Sequence, residues 1–158
     1  MANTQSMCTS FLGELMTATH NFGVAPIRAA TTADTFKAAL YLTSATIDAA
    51  TTVYTTSGEV SGTGYTPGGV TVTNATVPAS TNSSATAGVG YWTPSASIVY
   101  TTVTLTTAFD AVLIYNNSQS NKAVSVHTFG SQTITAGTFT LTMPVNNTTT
   151  ALLRLATT

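Results

Sequence analysis

Residues 59–74 read EVSGTGYTPGGVTVTN, with Gly62, Gly64, Gly68 and Gly69 gathered around Pro67. Glycines so spaced either cradle a phosphate ahead of a helix or turn a chain between strands. A dinucleotide fingerprint needs G-x-G-x-x-G opening a helix, whose N-terminus then faces the pyrophosphate. Gly62 and Gly64 fill the first two places, but Pro67 stands in the third. No lysine follows any of these glycines, as a P-loop would require. The continuation VTVTNATV alternates β-branched residues and reads as a strand. The stretch is therefore expected to turn the chain within a β-fold, with glycine allowing tight backbone and close approach between chain segments.

Downstream the period of two continues. SIVYTTVTLTT is long and β-branched, and FDAVLIYN is a nearly continuous apolar run, the pattern of a central strand buried on both faces. Asn117 to Asn121, NSQSN, turns the chain into KAVSVHTF, the clearest hairpin signal present. GSQ at 130–132 is expected to turn it again. AGTFTLTM then alternates Phe139, Leu141 and Met143 with threonine, and VNNTTT precedes a last strand, ALLRLA.

Upstream, TFKAALYL sets Phe36, Ala38, Leu40 and Leu42 against Lys37, Ala39 and Tyr41, which predicts a half-buried strand. SATIDAATTVY suits one helical turn or a loop, and residues 78–90 form a polar surface loop. Trp92 reads as opening a strand and plugging one end of the core.

One helix is expected, over residues 10–20. There Phe11, Leu12, Leu15 and Met16 form a single stripe, Ser10 can cap, and Glu14 favours the N-terminal end. Gly13 weakens it by about 1 kcal/mol relative to Ala, so it needs a surface to lie on. His20 and Asn21 suit its closing turn and Gly23 its exit.

With about seven to nine short strands, residues 1–158 are expected to form one mainly β domain, an antiparallel sandwich or barrel. No period of a solenoid or propeller recurs.

Only 6% of the 158 residues are charged and the formal net charge is −1, against about 25% charged residues in ordinary soluble domains. Threonine, β-branched yet able to face water, fills about a quarter of the positions. Arg28, Lys37, Lys122 and Arg154 are scattered, so neither a nucleic-acid stripe nor a polybasic membrane patch is expected. The uncharged run from Val60 to Phe109 is too broken by Gly, Pro, Thr and Ser to span a membrane. The start, MANTQSMCTSF, lacks the features of a secretory leader, and Cys8 is the sole cysteine. Synthesis in a cytoplasm without an internal disulfide is the expectation.

Catalytic constellations are hard to assemble from this chain. His20 and His127 lack the spacings of metal ligands, and no G-x-S-x-G elbow presents a serine. Glu14, Asp34, Asp48, Glu59 and Asp110 are isolated in sequence, although a pair could still meet across strands. His127 reads as a surface or interface histidine. No catalytic, cofactor-binding or metal-binding residue is assigned. Tyr54, Tyr65, Tyr91, Trp92 and Tyr115 lie near turns or strand ends, where rings could stack on sugars or anchor an interface.

The segments CTSFLGELMTATHNF, TFKAALYLTSATI, EVSGTGYTPGGVTV, LIYNNSQSNKAVSVHTFGS and AGTFTLTMP, taken in order, resemble a family of small virion proteins of tailed bacteriophages. The likeness covers most of the chain and is weakest over residues 78–90. Its most specific elements are E-V-S-G-x-G-Y-x-x-G-G and I-Y-N-x-S-Q-S-N. The resemblance implies a structural protein of the virion, not an enzyme, and no cofactor. It implies first a capsid decoration (cement) protein, docked on the phage major capsid protein as a homo-oligomer or multi-copy array. A neck, tail or fibre component comes next. A rival of another class is a carbohydrate-binding adhesin or receptor-binding module, which predicts exposed aromatics clustered at one end.

Overall fold

The computed structural model describes residues 3–8, 11, 15, 19, 20, 22, 33–73, 76–81 and 88–156. The chain is mainly β, in two antiparallel sheets, with almost no helical backbone among the described residues. Most of the helix expected over 10–20 lies outside the described residues. Of its span, Phe11 and Leu15 are in helical backbone, whereas Thr19 and His20 are not.

In chain order the strands are β1 (Ser6–Met7), β2 (Phe36–Leu42), β3 (Val70–Thr71), β4 (Ala79–Ser80), β5 (Val89–Trp92), β6 (Ile98–Asn116), β7 (Lys122–Leu141) and β8 (Leu153–Ala156). The larger sheet has the order β1-β7-β6-β2-β3 and the smaller β4-β5-β8. Neither closes on itself among the described residues.

The β6–β7 hairpin is the spine of the larger sheet. It turns at residues 117–121, where the sequence places it, with Ser120 and Asn121 at φ of 53° and 59°. Asparagine and serine suit such turns because short polar side chains bond the local backbone. SIVYTTVTLTT and FDAVLIYN fuse into one strand, β6.

The turn expected at GSQ does not form: β7 runs through it. Phe109 pairs with Gln132 and Ala111 with Thr128, so between them Asp110 of β6 faces three residues of β7, 129–131. Gly130, Ser131 and their neighbours are thus taken up as a bulge, which turn-forming residues suit as well as a reversal. Asp110 to Asn116 is buried almost throughout, as a central strand should be.

Two other expectations change. β2 is buried on both faces, with Ala38, Ala39, Leu40 and Tyr41 at 0% exposure. One face meets rings, with Phe22 stacked on Phe36 at 4.6 Å and edge-on to Trp92 at 4.8 Å. The other lies under the 43–69 segment, where Tyr41 donates its hydroxyl to Thr55 O. Trp92 closes β5 rather than opening a strand, and its indole N–H reaches Thr76 O at 2.9 Å. With Leu153 opposite in β8, it carries the smaller sheet onto the common core.

The glycine stretch seals the outer edge of β2. Leu42 N–H donates to Gly58 O, Val60 N–H to Leu40 O, and Val72 N–H to Phe36 O, while β3 pairs with Lys37 and Ala38. The strand expected at 70–77 is correspondingly short, its ladder confined to Val70–Thr71. Gly69 sits at φ 69°, and a Cβ there would lie 1.7 Å from Ala38 O. Gly62 presses on β6, where a Cβ would lie 2.1 Å from Thr104 O. No other residue type fits at either place without moving a backbone.

Gly69→Ala is accordingly expected to cost about 3 kcal/mol or more, combining a left-handed φ with a backbone clash. Gly130→Ala, with nothing within 4 Å of the added carbon, is expected to change stability by less than about 0.5 kcal/mol. Urea denaturation of the two variants checks the contrast.

Candidate functional site

The densest polar cluster is built around Glu59, in the stretch that closes β2. Glu59 forms an isolated antiparallel bridge with Tyr41, which fixes its backbone beside the strand. Its half-buried carboxylate accepts three short hydrogen bonds. Tyr54 Oη donates to Oε2 at 2.6 Å, and Tyr65 Oη and Gly68 N–H both donate to Oε1 at 2.7 Å.

Tyr65 Oη in turn accepts from Leu40 N–H at 3.1 Å. A phenol therefore stands where a neighbouring strand would have supplied a carbonyl. Tyr100 Oη donates to Ala38 O and Tyr115 Oη to Gly68 O, each at 2.8 Å. Tyr54 stacks on Tyr115 with ring centroids 4.7 Å apart.

Every one of these phenols is harder to ionise than a free tyrosine. Burial is the chief cause at Tyr65 and Tyr54, reinforced by donating to the Glu59 carboxylate. Burial likewise dominates at Tyr41 and Tyr100. Tyr115 is pushed up to about 12 by burial and by the charge of Glu59. Such groups stay protonated and donate. Tyr54 and Tyr65 brace the carboxylate, and Tyr41, Tyr100 and Tyr115 donate to main-chain carbonyls.

A second cluster ties the hairpin turn to the entrance of β2. Asn116, fully buried, has its Nδ2 at 2.7 Å from Asp34 Oδ2, as donor, and at 3.0 Å from His20 Nδ1. Gln119 Nε2 donates to the other Asp34 oxygen at 3.2 Å, and Asn116 Oδ1 accepts from Ser118 N–H. Sequence reasoning treats His20 as solitary and misses this set. Asn116 is 82 residues from Asp34 and 96 from His20 along the chain, so no local spacing announces the set.

The other described carboxylates also meet neutral donors. Asp110 accepts from Asn3 Nδ2 at 2.6 Å, and Asp48 accepts from Ala50 N–H in its own turn. Among the described residues no group of three or more His, Cys, Asp or Glu side chains is placed to hold a metal.

His127 lies on β7 with Nε2 at 2.9 Å from Ser125 Oγ, and burial lowers its pKa to about 4. It is less of a surface residue than its strand position suggests. The aromatic side chains expected near turns are not displayed either. Tyr65, Trp92 and Tyr115 are buried, and Tyr54 and Tyr91 are only partly exposed. An apolar pocket of about 180 Å³ lies between the smaller sheet and the N-terminal residues, lined by Phe11, Phe22, Tyr91, Trp92, Leu153 and Leu155 among others.

Comparison with protein-family models, with curated proteins and with solved structures finds no match.

Glu59→Leu is expected to cost about 3 kcal/mol, because it leaves the Gly68 amide and two phenols without their acceptor. Tyr54→Phe removes one of the three donors and should cost about 1 kcal/mol. Chemical denaturation of each variant gives these values.

His127 sets an acid limit. Its folded pKa lies below the unfolded value, so below about pH 6.5 the unfolded chain binds a proton that the folded chain refuses. Stability is then expected to fall as pH drops from about 6.5 to about 4, by up to roughly 3 kcal/mol. His127→Gln should flatten that part of the stability–pH profile relative to the parent.

Proposed function

We propose that this chain is a structural protein of a tailed-phage virion, and specifically a capsid decoration protein that bridges neighbouring copies of the major capsid protein. The observation that carries the reading is how the polar groups are used. The described carboxylates accept hydrogen bonds from neutral donors, and the tyrosine hydroxyls donate to carboxylate or main-chain oxygens, which locks strand edges and turns. This is the chemistry of a rigid building block, and it agrees with the ordered resemblance to phage virion proteins. The two sheets are read as the layers of an antiparallel sandwich sharing the Phe22–Phe36–Trp92 contact. Partly or fully buried aromatics favour this reading over an adhesin, which needs rings displayed to a sugar.

A decoration protein binds only the assembled shell, so it stabilises that shell by mass action, and many weak contacts add through effective concentration. Quantitative protein analysis of purified virions should therefore find copies on the order of hundreds, as expected for multivalent coating. Particles lacking the protein should release their genome at lower temperature or milder osmotic shock. About a dozen copies or fewer would place the chain in the neck or tail instead, and absence from the particle would overturn the virion assignment.

A further inference from the structure

The outer edge of β7 is a surface whose chemistry selects its partner. β6 pairs with one edge of β7, whereas β1 covers the other only at Ser125 and Val126. Past Thr128, alternate main-chain N–H and C=O groups of β7 point away from β6. No described main-chain group outside β6 bonds to them.

Irregularities divide this edge. One is the bulge after Thr128, and another falls near Ala136, whose φ is 47°. Beyond it Gly137 pairs with Val103 and, after one extra residue on the β6 side near Thr102, residues 139–141 run regularly against β6, with Phe139 opposite Tyr100, Thr140 opposite Val99 and Leu141 opposite Ile98. Thr138 and Thr140 are exposed, and Phe139 and Leu141 are half-buried.

An unpaired edge is a template for another strand, and proteins guard such edges with charge or proline. From Thr128 to Met143 this one carries neither. We propose that residues 137–141 pair antiparallel with the same residues of a second copy of this chain, joining two five-stranded sheets across a two-fold axis.

Self-complementarity singles out the second copy. A strand laid antiparallel on itself makes every contact twice. Near Phe139 it sets threonine against threonine, a favourable cross-strand pair, and opposes no like charges. With a formal net charge of −1, two whole copies repel weakly. Two-fold pairing consumes the edge and the upstream bulge blocks its extension, so the contact closes at a dimer instead of growing into a fibre. This inference does not rest on the capsid reading.

Sedimentation of the full chain tests it. The parent should be dimeric, and the Thr138→Lys/Thr140→Lys and Thr138→Glu/Thr140→Glu variants should each self-associate at least about tenfold more weakly at low salt. An equal mixture of the two should recover the dimer, which also shows that both are folded. Since Cys8 is buried, Thr138→Cys/Thr140→Cys should form a disulfide-linked dimer under mild oxidation. A monomeric parent at high concentration, or a dimer that neither charged variant weakens, overturns the proposal. So does a mixture of folded variants that stays monomeric, or a cysteine variant that does not cross-link.

Discussion

A carboxylate held against a sheet edge needs donors, and a strand edge needs partners. Glu59 meets both demands with one side chain. Through Oε1 it fixes Tyr65, whose hydroxyl satisfies Leu40 N–H, and also Gly68 N–H, whose carbonyl takes the hydroxyl of Tyr115. If this set is loosened, β2 loses the partner of a buried main-chain amide on its outer edge. A buried amide without a partner costs about 1–3 kcal/mol. The 58–72 segment, and through it the outer edge and one buried face of β2, is keyed to this carboxylate.

The glycines complete the device. Side-chain phenols can stand in for a strand only if the loop carrying them lies directly on the backbone they serve. Gly69 against Ala38 O and Gly62 against Thr104 O provide that approach. The proline between them, at 67, has no N–H to give to a continuous ladder. Hence the stretch that imitates a phosphate-binding fingerprint in its spacing is instead an edge seal made of loop backbone, one acid and several phenols.

Much of this organisation was legible in the sequence. The β-character, the turn at residues 117–121 and the buried run before it follow from alternation and turn chemistry, which are local. β2 reads as half-buried because its alternation is real. Nothing local tells that a glycine-rich loop will cover its second face. The GSQ segment reads as a turn because the same residues serve turns and bulges, and only the pairing partner decides between them. Glu59 appeared as an isolated acid and His20 as an isolated histidine for a related reason. The Tyr54 and Tyr65 partners of Glu59 are close in sequence, yet phenols near a carboxylate carry no motif, and the partners of His20 come from the far side of the chain.

Low charge gives the surface and the interior the same character. Inside, acids bond to amides and phenols; outside, threonine hydroxyls replace the lysines and glutamates of an ordinary β-protein. Short, partly buried hydrogen bonds from neutral donors to a carboxylate are screened by salt less than exposed ion pairs are, so the braces around Glu59 and Asn116 are expected to hold across ionic conditions that would loosen a surface charge network. Hydroxyl surfaces also oppose no charge to a like neighbour, which removes the usual electrostatic barrier to packing many identical copies side by side. The described acids are taken up by hydrogen bonds inside the fold, and on the proposed reading the same low charge suits the surface to close-packed assembly.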